Sequence, residues 1–314
     1  SFIYDGFSDE SPAYTNMYLG PILPLVETLH GFARPDGAML DMYGGDPKLR
    51  LMFRAIIDQR RPSGYYPPLS DTNKSSRPSV FMYELGIRRY PEYFAGMHPA
   101  ARGGSRPTDY AVFHLEPEQI ETTIDRDLPE LVYPAWMTAF FRHGTGDGAA
   151  FVAFPFNPPG GHRHYDNLAV YYETRGRAVL EDLGYVGDMP VNAWIKSTLS
   201  HNLVVVNDED QRHRERVPEF HFAATSPLVS VAEASSKAYE ACSEYRRTLA
   251  LIKGPDGASF LVDIFRVKGG AKHAFRVASS IGASDAPENA LDFTGIALPP
   301  EPPLPEIGNS LARA

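Results

Sequence analysis

The stretch GGHRHYDNLAVYYETRGRAVLEDLGYVGDMPVNAWIKSTLSHNLVVVNDEDQ, residues 160–211, decides how the rest of the chain is read. It holds three separated pieces that can meet at one point: His162 and His164 with Asp166 beside them, Asp182 before Leu183 and Gly184, and His201 before Asn202. In a β-strand, residues two apart share a face, so a strand beginning at the Gly-Gly pair predicts that His162 and His164 project together. LAVYYE from Leu168 and AVLED from Ala178 read as two strands joined across Thr174-Arg-Gly-Arg177, a hairpin that carries Asp182 back toward the histidines. A third strand, LVVV from Leu203, follows His201 and Asn202 directly. Imidazole and carboxylate together suit a borderline cation such as zinc, which usually takes about four ligands. An HxH pair by itself is equally an ordinary polar strand face; it is the joint occurrence of the three pieces that points to a metal.

Working outward, the period of the sequence changes near Gly148. From there to about residue 283, short runs rich in β-branched and aromatic residues are separated by turn chemistry: AFVAFPF, the hairpin, LVVV, YRRTLALI from Tyr245, FLVDIFRV from Phe260 and AFRV from Ala274. This spacing predicts an antiparallel β-sandwich over 146–283, with Gly254-Pro-Asp-Gly257 as a hairpin turn. Residues 1–145 read instead as helices joined by Pro/Gly loops. Leu49, Met52, Phe53, Ile56 and Ile57 recur at helical spacing between Pro47 and Pro62. Residues 14–32 predict a second helix that Pro21 and Pro24 start, kink or split, 79–90 a third, and 134–142 a fourth or a leading strand. The Pro-rich segment 284–314 reads as an extended tail or the end of the sandwich. The fold class is therefore α+β, a helical region followed by an antiparallel sandwich.

Composition narrows the function. The chain has 314 residues, 43% of them apolar, and a net charge of −9, which argues against nucleic acid as a partner and gives no general attraction to an acidic polymer. An acidic ligand must be met locally, and Arg102, Arg106, Arg163 and the run QRHRER at 211–216 are the candidates. A single cysteine, Cys242, excludes an internal disulfide framework. No run approaches the ~20 apolar residues of a membrane span. The sequence shows neither a basic leader region nor an apolar one, and nothing in it gives the oligomeric state.

The pattern GHRHYD at 161–166, DLG at 182–184, and STLSHN at 197–202 followed by a Val run and Gln211 resembles the heparinase II/III-like family of polysaccharide lyases. DGFSDESPAY at 5–14 is similar to that family's segment in which Asp-Gly is followed by Glu and Tyr. The resemblance implies an incomplete α/α toroid ahead of the sandwich, and β-elimination on an acidic, uronate-containing polysaccharide such as alginate or a glycosaminoglycan, in the periplasm or outside the cell. It implies that His162 is a catalytic base or acid, and that His164, Asp182 and His201 hold a zinc ion that mainly braces the site. Such a reaction also needs a tyrosine from the helical region, for which Tyr66 is preferred over Tyr65, and Glu10 as an orienting or substrate-contacting carboxylate. Asn16, Arg163, Tyr165, Asn202 and Gln211 are expected to contact sugar or support the ligands. Two other readings remain open: a carbohydrate-binding or scaffold protein without turnover, and a hydrolase using zinc-bound water.

Overall fold

The computed structural model describes residues 4–8, 10–44, 47–102, 104–124, 127–212 and 217–279. The Pro-rich segment 284–314 lies outside them, as do residues 213–216 of the arginine-rich run. Six helices come first: α1 (Pro12–Leu29), α2 (Pro47–Asp58), α3 (Val80–Arg89), α4 (Pro91–Phe94), α5 (Asp109–His114) and α6 (Pro117–Glu121). Ser11 caps α1 by accepting from the Tyr14 amide, and Ser79 caps α3 through the Met82 amide. Contrary to a split at Pro21 and Pro24, α1 runs through both. Its outer side here is solvent-exposed, so the carbonyls that lose an N–H partner can reach water. The apolar stripe of α2 packs Phe53, Ile56 and Ile57 with Leu19, Leu23, Leu85 and Phe94 into one helical core. The helices pair as α1 with α2 and α3 with α4 and α5, and none of these pairings closes a ring.

The sheet begins at Leu131, ahead of the expected change at residue 146. Strands β1 (Leu131–Tyr133), β2 (Thr138–His143), β3 (Ala150–Pro155), β4 (Tyr171–Thr174) and β5 (Arg177–Leu180) form an antiparallel sheet in that order. The stretch 134–142 is accordingly a turn and a strand rather than a helix. The β4–β5 hairpin forms as its sequence predicts, with Arg175 (φ 51°) and Gly176 (φ 70°) supplying the two left-handed positions its turn needs. After a short helix α7 (Asn192–Ile195), β6 (Val204–Val206) pairs with β11 (His273–Phe275), while β7 (Glu219–Thr225), β8 (Val229–Ser235), β9 (Cys242–Lys253) and β10 (Ser259–Gly269) form a second sheet.

The two large sheets face each other across a core of Phe141, Val152 and Phe154 on one side and Ala232, Leu249 and Leu251 on the other. The opposite face of the first sheet carries Phe140, Phe151, Ala153 and Tyr171, which pack with Phe7, Ala55 and Leu69 from the helical side. Strand β3 is thus buried at every position, which is why it reads as an unbroken apolar run and not as an alternation. The result is three layers: helices, inner sheet, outer sheet.

Arg247 on β9 is wholly buried between the layers and fixes the loops that matter most. Its Nη1 donates to the carbonyls of Leu168 and Asn202, each at 2.6 Å, and its Nε donates to Asp263 at 2.9 Å. Leu168 itself has φ 66°, a left-handed backbone that a β-carbon makes costly and that this bond helps to hold. Arg247→Met is expected to destabilise the protein by ~2–4 kcal/mol, because it leaves two buried carbonyls and the partly buried Asp263 carboxylate unmatched. Denaturant unfolding of the variant measures this, and a loss under 1 kcal/mol would show that Arg247 does not pin the loops.

Candidate active site

The loop from β3 to β4, residues 156–170, delivers the histidines, and it does so as a turn and not as the expected strand. Gly160 (φ 138°) and Gly161 (φ 63°) allow a reversal in which Gly160 and Arg163 bridge. The two histidines consequently meet different surroundings. His162 remains about a third exposed, whereas His164 is fully buried.

Both nevertheless reach the same carboxylate. Asp71 Oδ2 lies 2.9 Å from His162 Nδ1, and Asp71 Oδ1 lies 3.0 Å from His164 Nε2. Lys196 Nζ donates to Oδ2 at 2.8 Å. Burial acts to raise the Asp71 pKa, but the bonds from His164, Lys196 and His162 outweigh it and hold the group at about 2. An ionised Asp71 only accepts, so the proton of each imidazole sits on the nitrogen facing it. His162 is left with Nε2 as its exchangeable position, 3.7 Å from Glu10 Oε2.

The backbone around Asp71 is fixed from three directions. Its amide donates to the His162 carbonyl at 2.9 Å, and its carbonyl accepts from Ser11 Oγ at 3.2 Å. The carbonyl of the next residue, Thr72, accepts from the Tyr185 amide at 3.1 Å. Gly184 is required there, because its φ is 61° and a β-carbon would lie 2.1 Å from the Thr72 oxygen. Ser70 adopts φ 55° immediately before Asp71, a strained position of the kind that collects at functional sites.

Behind Asp71 the predicted metal ligands converge. One donor atom each from His164, Asp182 and His201 lies within 4.8 Å of the others, and all three residues are buried. His201 Nδ1 donates to the Ser197 carbonyl at 2.8 Å, which leaves Nε2 without a proton. His164, donating through Nε2 to Asp71, presents a bare Nδ1 only 3.3 Å from that atom. Asp182 donates nothing to the cluster: Oδ1 accepts from the Gly184 amide at 2.8 Å, and Oδ2 faces His201 at 3.6 Å. Burial pushes the Asp182 pKa up. Asp166 adds Oδ2 at 3.9 Å from His201 Nε2, and its buried Oδ1 has no hydrogen-bond partner. Two imidazole lone pairs and a carboxylate turned on one another out of water call for a cation, and the donor set suits zinc.

In front of Asp71 stands a residue the sequence reading passed over. The Tyr14 ring stacks on His162 with centroids 3.7 Å apart and planes 27° from parallel. Partial desolvation, then the charges of Asp71, Glu10 and Asp188, raise the Tyr14 pKa, keeping its hydroxyl protonated. Glu10 Oε2 in turn accepts from Tyr18 at 3.1 Å. Tyr14 ends the quoted segment 5–14, and Asp71 ends the loop that carries Tyr65 and Tyr66; both were in view, but only the folded chain shows that they meet His162.

Other expected site residues are placed elsewhere. Tyr66, the preferred catalytic tyrosine, is wholly buried in the helical core, its hydroxyl has no hydrogen-bond partner among the described residues, and desolvation drives its pKa well up. Tyr65 lies beside the guanidinium groups of Arg61 and Arg77. Asn16 donates to the Arg77 carbonyl at 3.5 Å, and Arg163 to the carbonyl of Pro158 in its own loop. Tyr165 is 40% exposed beside the histidines. Asn202 and Gln211 are buried and support the ligands instead of facing sugar. Asn202 donates to Val170 and Glu181 and accepts from Ala278, and Gln211 clamps the amide and carbonyl of Asn167.

Comparison with known proteins agrees with this geometry. The family profile described as "Heparinase II/III-like, C-terminal" matches residues 125–289. An alginate lyase from Stenotrophomonas maltophilia (strain K279a) is 23% identical over 305 residues, spanning 85% of this chain and 40% of that protein. Among solved structures, a heparinase III superposes with a TM-score of 0.61 at 14% identity, over 90% of this chain and 43% of that one. The heparan sulfate lyase HepC from Pedobacter heparinus gives 0.59 at 17% identity, over 86% and 40%. The chain therefore spans about two fifths of the length of these relatives. Since the profile covers more than half of the sequence and includes the histidine loop, Asp182 and His201, the chain belongs to the heparinase II/III-like family.

Proposed function

We propose that this chain carries the catalytic centre of a polysaccharide lyase that cleaves a uronate-containing polymer by β-elimination. The observation that supports it most directly is the Tyr14–His162 stack anchored on Asp71: two proton-transfer groups of different acidity, side by side at the surface of a fixed loop. In the reaction, the C5 proton of the uronate is removed, the C4–O4 bond breaks, a C4–C5 double bond forms, and O4 leaves with a proton. His162 Nε2 is free to take the C5 proton, and Asp71 then stabilises the imidazolium. The protonated Tyr14 hydroxyl is placed to give its proton to O4. Lys196, partly exposed beside Asp71, brings positive charge to the uronate carboxylate, a role for which the sequence offered no clear residue.

Zinc fits the triad of His164, Asp182 and His201, where it would hold three separate chain segments together and place positive charge behind Asp71. The ligands are buried, which suits an ion that braces the fold rather than one that presents a metal-bound water to a polymer, and retention of cleavage after chelation would separate the two. The exposed, proton-competent pair argues equally against a purely binding protein. Substrates named for the relatives, alginate and heparan sulfate, share the uronate, and an enzyme acting on polymers of that size would meet them in the periplasm or outside the cell.

Two measurements test this reading. Elemental analysis of the purified protein is expected to find about one zinc per chain, lost in His164→Ala and in Asp182→Ala; a folded, metal-free parent would remove the metal from the proposal. Cleavage is followed by the ultraviolet absorbance of the C4–C5 double bond, with alginate and heparan sulfate as substrates. Tyr14→Phe should lower the rate ~10²–10⁴-fold, whereas Tyr66→Phe, which deletes a buried hydroxyl without a partner, should keep it. The opposite ranking would return the catalytic role to Tyr66.

A further inference from the structure

We propose that a second saccharide site, specific for a carboxylate- or sulfate-bearing oligosaccharide, lies in the cavity between the helical layer and the far end of the inner sheet. This cavity has a volume of about 920 Å³ and is walled by Arg60, Arg61, Arg77, Arg142, Tyr65 and Tyr83. Its size falls within the range of small-molecule sites, roughly 300–1,000 Å³. It opens where β2 ends at His143 and β3 begins at Ala150, whereas the His162 loop leaves the other end of β3. Six residues of strand, roughly 20 Å, separate the two ends.

The charge of the wall is what calls for an anion. Arg61 is paired with Glu173 at 2.8 Å. The other three arginines have no carboxylate at ion-pair distance among the described residues. Arg60 donates to the Tyr83 hydroxyl at 2.7 Å and the Ile57 carbonyl at 3.1 Å, and Arg142 to the carbonyls of Pro129 and Asp58. The Arg77 guanidinium lies over the Tyr65 ring, 5.7 Å from its centroid. The acids nearby do not cancel them: Glu130 accepts from Lys253 at 2.6 Å and from the Arg142 amide, Asp58 behind the wall pairs with Arg54 at 3.7 Å, and Asp127 is exposed. Burial and then the neighbouring Arg60 lower the Arg142 pKa to about 10, and the opposing charges of Asp58 and Glu130 do not restore it. In a chain of net charge −9 such a concentration is local, not general.

Guanidinium forks bind planar carboxylates and sulfates through paired hydrogen bonds, and the Tyr65 and Tyr83 rings supply apolar faces for sugar C–H groups. The choice of a saccharide rests on the lyase reading above; the cationic cavity does not. A site at this distance would hold an acidic chain or its product away from the reacting bond.

Calorimetric titration of the Tyr14→Phe protein, in which cleavage is expected to be slow enough for binding heats to be read, tests the site. The probes are a tetramannuronate, a sulfated heparan tetrasaccharide and neutral cellotetraose. At least one acidic probe should show a binding event that Arg77→Glu abolishes and Arg60→Met weakens about tenfold or more, with cellotetraose silent; the acidic probe that binds separates carboxylate from sulfate recognition. Arg77 is exposed, so its replacement leaves the fold intact, which circular dichroism checks. Acidic binding unchanged in Arg77→Glu, no binding event at all, or equal binding of cellotetraose overturns the site. If the parent cleaves no polymer yet the Arg77-dependent event persists, the lyase reading fails and the pocket stands.

Discussion

Asp71 is a buried carboxylate that three cationic or hydrogen-bond-donating side chains share, and the arrangement of the active site follows from that sharing. Taking the carboxylate out of water is costly, and the bonds from His162, His164 and Lys196, each of a kind that contributes ~1.5–3 kcal/mol when one partner is charged, are what make its burial tolerable. The same bonds decide chemistry. By accepting from both histidines, Asp71 turns the free nitrogen of His162 toward the surface and that of His164 toward the triad, so one charge sets two tautomers with opposite tasks.

Holding Asp71 in place requires the helical layer and the sheets to meet there. Its carbonyl is bound by Ser11, the residue that also caps α1, so the start of α1 and the stack of Tyr14 on His162 are set by one short segment. Thr72 accepts from Tyr185, and Lys74 pairs with Glu181, which ties the same loop to the chain leaving β5. On the far side Arg247 holds Leu168 and Asn202 from the outer sheet. Loops 61–78, 156–170 and 181–202 are thus fixed by hydrogen bonds that reach across all three layers, which gives irregular backbone the rigidity that proton transfer at a fixed distance demands.

What could be read from the sequence was the convergence of His164, Asp182 and His201, through the family pattern, and the β4–β5 turn, through its residue types. The geometry of HxH could not: alternation predicts a shared face, but the Gly-Gly pair makes a turn, and the histidines come together only through Asp71, 91 residues from His162. Strands β7 and β8 escaped notice because EFHFAAT and VSVAEAS carry alanine, serine and glutamate where strand propensity is weak; their place is set by register with β9. The sequence favours Tyr66 because the resemblance calls for a tyrosine of the helical region downstream of Glu10, yet the Tyr66 amide donates to the Ser76 carbonyl and the ring lies in the helical core. Family resemblance singled out the segment at 5–14 without saying which of its residues would touch His162.

The one-residue gap between His162 and His164 then shows how the proposed metal and proton-transfer group could be neighbours without sharing a reaction. A zinc ligand must be neutral at one nitrogen and permanently committed, while a base must release its proton in every turnover. Placing both in one cluster would let the cation depress the basicity of the base. Here the ionised carboxylate stands between them, offering one oxygen to each imidazole, so positive charge on the triad side is met by Asp71 before it reaches His162. The exposed histidine would therefore be screened from a cation bound at the triad, and the burial of His164, Asp182 and His201 fits that division: a bracing ion would need neither solvent nor substrate, and the surface is left to Tyr14, Glu10 and His162.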